Sequence, residues 1–253
     1  MAASYRKDRA VCFGLCAAPP NLSKDAFQVK VKAMVDVILA LPVVQKNGLT
    51  IDIIFQNELL DERLEALGLP IAPPSVWLKG ECETGAQYEE LLEDQDLAKL
   101  IREAEEFGFR TGTSAFFADV VTKVDIAGAT SQNCTHVVAA VKVPAHLSST
   151  EFQQKLENIV DKFLALPITQ QKIVKFSTYV PNENMNTHLR ALGFPEPEPV
   201  AVVMYDVETQ ESMIEIATHP SIKTFAAETI PELSIDTGSS IFSADVVTTP
   251  TRS

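Results

Sequence analysis

The 253 residues carry 34 acidic against 21 basic side chains, a net charge of −13, on a composition that is 46% apolar. That charge repels phosphate backbones and anionic membrane surfaces, which argues against nucleic acid and membrane as partners, while the apolar content suffices for one large core or two modest ones. The N-terminus, MAASYRKDRAVCFGLC, lacks a secretory pattern, and no run approaches the roughly 18 apolar residues of a membrane span, so the expected location is the cytoplasm.

Residues 1 to 10 are polar and charged and are expected to form a frayed tail. Val11 to Ala17 reads as a first strand, Pro19 to Asn21 as a turn and Ser23 as the N-cap of a helix. In that helix Phe27, Val31, Met34, Val35 and Ile38 fall on one face, and it stops at Leu41-Pro42. Thr50 to Gln56 alternates as a strand, with Ile51, Ile53 and Phe55 opposite Thr50, Asp52, Ile54 and Gln56. A short helical turn, Glu58 to Leu67, ends at Gly68. Ser75 to Gly80 is a third strand holding the only tryptophan, Trp77. Tyr88 to Phe107 is a second helix, and Ser114 to Val121 a fourth strand. Asp125 to Asn133 reads as an exposed connection.

The same order then recurs: strand His136 to Val143, helix Glu151 to Leu166 with the capping box Ser148 to Glu151, strand Ile173 to Val180, and loop Pro181 to Pro199. Strand Val200 to Asp206, helix Glu211 to Glu228 and strand Ser240 to Val247 complete it. Sliding the chain by 125 residues lays Phe27 to Asn47 on Phe152 to Lys172 with 10 of 21 positions identical. Ala66-Leu-Gly68 matches Ala191-Leu-Gly193, and Ala118-Asp-Val-Val121 matches Ala244-Asp-Val-Val247. The chain therefore reads as a tandem repeat, residues 11–124 and 134–249.

Each βαββαβ copy is the ferredoxin-like split motif, an antiparallel sheet with both helices on one face. Two bare sheet faces can bury each other, so the expected fold is α+β: tandem repeats whose sheets pair into one pseudo-dimeric α+β barrel, helices outside and a cavity between.

Positions that differ between the copies are the candidates for an asymmetric site. Asp52 stands against Ser177, Ile54 against Tyr179, Thr50 against Lys175, and Trp77 against Val202. His136 is the candidate general base, since imidazole titrates near neutrality, with a hydrogen-bonded histidine at a strand start as the alternative. Tyr179 and Asp52 are its candidate partners, and Trp77, Lys175 and Ser177 are candidate ligand contacts. Asp119 and Asp245, kept in both copies, read as structural. The histidines and the cysteines Cys12, Cys16, Cys82 and Cys134 lack metal-ligand spacing, and no phosphate-binding glycine loop occurs, so free thiols and no metal or other cofactor are expected.

Thr135-His-Val-Val-Ala-Ala-Val-Lys-Val143, with its capped helix and the Leu-Pro ending at Pro167, resembles the opening strand and helix of stress-responsive A/B barrel domains in the dimeric α+β barrel superfamily, which also includes EthD-like proteins. Thr218-His219-Pro220 with Phe225 resembles that family's second helix. The resemblance implies a protein that binds a small apolar or aromatic molecule in the barrel cavity and can self-associate through its outer surfaces. In polyketide cyclases of the family, such as olivetolic acid cyclase, it also implies a cofactor-independent enzyme with the first-strand histidine as base. His136 matches that histidine, whereas Ile216 and Ile222 stand where the family's tyrosine and second histidine would be. The alternatives are thus an enzyme of cyclase, lyase or monooxygenase type using His136, or a purely structural, self-associating stress protein.

Overall fold

A computed structural model describes residues 4–126 and 134–249. Eight strands close into one antiparallel barrel: β1 (Ser4–Ala17), β2 (Thr50–Gln56), β3 (Ser75–Cys82), β4 (Thr113–Asp125), β5 (Thr135–Lys142), β6 (Ile173–Asn182), β7 (Val200–Val207) and β8 (Ser240–Thr249), in the circular order β1-β3-β2-β8-β5-β7-β6-β4. Strands from 4–125 and from 135–249 therefore form two contiguous arcs that meet at β2·β8 and at β4·β6.

Strand alternation sorts the side chains into three layers. Val11, Phe13, Ile54, Trp77, Phe116, Val138, Tyr179, Val202, Met204 and Phe242 point into the barrel. The intervening Cys16, Ile51, Ile53, Val76 and Phe117 meet the helices of the first arc, and Val137, Val141, Phe176, Ala201 and Val207 those of the second. The expected split of Thr50 to Gln56 is seen directly: Ile51 and Ile53 face outward and Ile54 inward.

The helices follow from local chemistry. In α1 (Lys24–Leu39) the Ser23 hydroxyl accepts from Ala26 N at 3.2 Å, and the expected apolar face is buried. In α6 (Ser149–Leu164) Ser148 and Glu151 form the capping box. After each Leu-Pro the chain resumes as a further turn, α2 (Pro42–Asn47) and α7 (Pro167–Lys172), because proline is preorganised for the first helical position. A short α3 (Asp61–Ala66) follows β2, and the loop expected from Pro181 to Pro199 contains its counterpart, α8 (Asn186–Ala191).

Three other expectations are corrected. The helix expected over Tyr88 to Phe107 is two, α4 (Gly85–Glu93) and α5 (Gln95–Glu103), followed by a 3-10 turn. Asp94 is extended there, and its carboxylate accepts from Leu97 N at 2.9 Å, so one cap ends one helix and starts the next. His219 does the same between α9 (Gln210–Thr218) and α10 (Pro220–Leu233), its Nδ1 accepting from Ser221 N at 3.2 Å. The tail expected over residues 1–10 is also strand from Ser4 onward, pairing with β4 across a bulge between Arg6 and Val11. The connection expected over 125–133 lies largely outside the described residues.

The short helices cross between arcs. Leu60 and Leu64, on and beside α3, are buried in the core of the second arc, and Leu189 of α8 in that of the first. Polar bonds repeat at both seams: Asn57 Nδ2 donates to Asp245 at 3.0 Å, and Asn182 Nδ2 to Asp119 at 2.8 Å, the structural role expected of these aspartates. Leu60 is 1% exposed and its amide donates to Ser243 Oγ. Leu60→Ala is expected to cost about 2–5 kcal/mol, read as a lower urea midpoint at an unchanged slope, although the side chain belongs to the opposite arc.

Candidate functional site

Two kinds of site emerge from this layering. The first lies inside the barrel, at the end where β2, β5 and β6 begin and β4 and β8 finish. Odd-even parity turns Asp52, Lys79, His136, Lys175, Ser177, Tyr179 and Asp206 toward one another there, around a cavity of about 60 Å³. Five of the six residues expected from the sequence meet in it: His136, Tyr179, Asp52, Lys175 and Ser177. Trp77 does not line it; it is buried deeper, edge-on to the Phe242 ring at 4.8 Å.

Beyond it, side chains of the described residues pack the interior. Phe13 stacks on Phe116 and meets Tyr179 edge-on, and with Trp77 and Phe242 these rings plug the space expected to be an open barrel cavity. Bulky side chains from all eight strands converge on one axis, so little room survives in a barrel of this strand number.

His136 is 3% exposed, and its Nδ1 lies 2.8 Å from Asp206 Oδ1, a carboxylate itself almost wholly buried. The pair joins β5 to β7, where His136 and Asp206 are direct register partners. Lys79 lies 2.6 Å from Asp52, whose other oxygen accepts from Thr248 Oγ1 at 2.7 Å. Burial works against the Lys79 charge, but Tyr179 and Asp52 outweigh it and hold the ammonium above the usual lysine range. Ser177 Oγ and Thr122 Oγ1 are 3.1 Å apart across the β4·β6 seam. Lys79 and Asp206 were not singled out in the sequence. The available signal was parity: Lys79 is two residues after Trp77, and Asp206 closes the strand that faces His136.

The second kind of site lies outside the barrel, between sheet and helices. In the second arc Leu156, Ile159 and Phe163 of α6, Phe225 of α10, and Ala139 and Tyr205 of the sheet help enclose about 180 Å³, almost entirely apolar. Tyr205 stacks parallel to Phe176 at 6.3 Å and leans on Phe163 at 5.7 Å. Its hydroxyl has no hydrogen-bond partner among the described residues, and burial pushes the phenol above its ordinary range, so it remains a proton donor. Ile216 and Ile222 belong to this outer layer, on the other side of the sheet from His136.

The first arc holds a smaller cavity of about 120 Å³ with its own phenol, Tyr88, beside the Cys12 thiol. Tyr88 comes from a helix and Tyr205 from a strand, and a shift of 125 residues places Gly80 on Tyr205 and Tyr88 on Met213. The Tyr88 hydroxyl occupies the position a Cβ would take at Gly80, so the missing side chain is what admits the helix phenol. All four cysteines are free thiols. Among the described residues no helix is long and apolar enough to cross a membrane, and no group of three metal-type ligands assembles.

No family model matches the chain, and no curated protein matches it. Solved structures share its fold. One is an anthrone oxidase-like protein, at 9% identity and a TM-score of 0.61 over 100% of this chain and 98% of that one. A provisionally assigned monooxygenase from Fusobacterium nucleatum aligns at 8% identity and 0.53 over 94% and 92%. Another such monooxygenase, from Lactobacillus acidophilus, aligns at 6% and 0.50 over 97% of each chain. At these identities the likeness is one of fold: the α+β barrel.

Two outcomes test the geometry. A double-mutant cycle of His136→Ala and Asp206→Ala is expected to give a coupling of about 1.5–3 kcal/mol in chemical unfolding, and a coupling near zero would mean that the pair is not formed in solution. Burial pushes the Cys16 and Cys82 thiols up to about 12, so near pH 8 an aromatic disulfide reagent is expected to label the half-buried Cys12 and Cys134 first and those two only on unfolding.

Proposed function

We propose that the protein binds a small apolar or aromatic molecule, without metal or nucleotide, in the cavity between the second arc and its helices. The carrying observation is that cavity: about 180 Å³, lined by aliphatic and aromatic side chains, with the Tyr205 hydroxyl as a single donor able to orient a ligand oxygen. An apolar cavity of about 150 Å³ in another protein stays dry and accepts benzene, so the volume suits one aromatic ring with a short substituent. This location replaces the barrel interior expected from the sequence, which aromatic rings occupy. The names of the fold neighbours, monooxygenases and an anthrone oxidase-like protein, favour the same ligand class.

The proposal includes two copies of one domain, residues 11–124 and 134–249, of the stress-responsive A/B barrel type. The repeated strand order within each arc and the paired bonds Asn57–Asp245 and Asn182–Asp119 support that duplication.

A second reading, cofactor-independent proton transfer by His136 with Tyr179 and Asp52 nearby, is favoured by one observation: the Asp206 carboxylate holds the imidazole at 2.8 Å, as an orienting group holds a general base. Against it stand the pairing of Asp52 with Lys79 and a cavity too small for an aromatic substrate.

The test uses p-cresol and toluene as probes. At a tenfold excess over Kd, binding stabilises by about 1.4 kcal/mol, so a rise on the order of 3–6 °C in melting temperature is expected. Ala139→Phe, which fills the cavity from β5, is expected to abolish it, and Tyr205→Phe to weaken p-cresol but not toluene. Equal responses of wild type and Ala139→Phe would overturn the location.

A further inference from the structure

The polar end of the barrel interior is apart from the outer cavity and has a chemistry of its own. Tyr179 is 6% exposed, lines the 60 Å³ cavity, and its hydroxyl has no hydrogen-bond partner among the described residues. A buried hydroxyl left without a partner costs roughly 1–3 kcal/mol, so such groups ordinarily face a ligand or ordered solvent. Lys175, partly buried on the same wall, makes no ion pair with a described residue. Lys79 supplies three ammonium donors, and its contact with Asp52 accounts for one.

The carboxylates at this end are already engaged. Asp52 accepts from Lys79 and Thr248, and Asp206 is held by His136. Of the two ammonium groups at this end only Lys79 touches a carboxylate, and the donors left over belong to Lys175, Lys79 and Tyr179. Unused donors, among them the Lys175 ammonium in no ion pair with a described residue, match an acceptor-only, singly charged guest. At roughly 30 Å³ of liquid volume per water, the cavity holds about two waters, the size of a planar oxyanion with one or two carbons.

We infer that this pocket binds a small carboxylate of formate or acetate size, its oxygens accepting from Tyr179 Oη and from the ammonium groups of Lys175 and Lys79. The partly buried Lys175 and Val246 stand at the solvent side of the cavity, the route by which such an ion enters without opening the barrel. Ser177, tied to Thr122, forms the wall and limits the guest's length.

The experiment is a titration of the full-length protein with sodium formate, acetate, propionate, nitrate and sulfate, each at constant ionic strength against sodium chloride. Melting temperature and the tyrosine signals in NMR spectra are the readouts. Formate and acetate are expected to give saturable shifts, and propionate and sulfate none. A nitrate response equal to that of formate would assign the site to planar oxyanions at large, overturning a carboxylate preference. Lys175→Gln is expected to weaken formate about tenfold or more, and Tyr179→Phe about three- to tenfold, with far-UV circular dichroism unchanged. Should Tyr179→Phe fail to fold, the partly exposed Lys175→Gln decides alone. Ala139→Phe, in the outer cavity, is expected to leave the formate response intact, which separates failure of this site from failure of the other. Formate indistinguishable from chloride, or wild-type affinity in Lys175→Gln, would overturn the inference.

Discussion

The structure depends on closure of the sheet at two seams, β2 with β8 and β4 with β6. Each joins strands far apart in the chain, and each is fastened by an asparagine donating to an aspartate across it. Closure leaves no unpaired edge on either arc and converts the bare face of each into a shared interior. Without it Phe13, Phe116, Trp77 and Phe242 would face water, and the polar residues of both arcs would not meet. The exchange of α3 and α8 between outer cores adds apolar burial to the same closure, so neither arc completes its core alone.

Within the closed barrel, charge is tolerated because it is matched. Taking Lys79, Asp52 and Asp206 out of bulk water carries a desolvation cost of several kcal/mol per ion, which good geometry and neighbouring hydroxyls offset. The 2.6 Å and 2.8 Å contacts and the Thr248 hydroxyl meet that requirement. The aromatic plug beside them keeps this polar end small, which confines any guest to a few heavy atoms.

The outer cavities show one design reached from opposite sides. Where β3 has Gly80, a helix tyrosine lies over the strand; where β7 has Tyr205, the helix offers Met213 instead. Each arc thus sets one phenol against its apolar cavity, but only Tyr205 lacks a thiol neighbour. The second cavity is also the larger, about 180 Å³ against about 120 Å³.

The sequence by itself determined the strands apart from the first part of β1, the buried face of α1, the capping box of α6, the 125-residue correspondence and the inward parity that gathered His136, Tyr179, Asp52, Lys175 and Ser177. Those are local or periodic properties, carried by spacings of two and of about 3.6 residues. The breaks at Asp94 and His219 were also local, but a carboxylate or imidazole that caps one helix while ending another resembles an ordinary helical residue in a linear reading. Only the tertiary structure decided that Asp206 holds His136, that Lys79 holds Asp52, that Trp77 belongs to the plug, and that open apolar space lies outside the barrel. Each depends on how strands distant in the chain are set beside one another and on how completely large side chains fill the space between them, which alternation along a single strand does not encode.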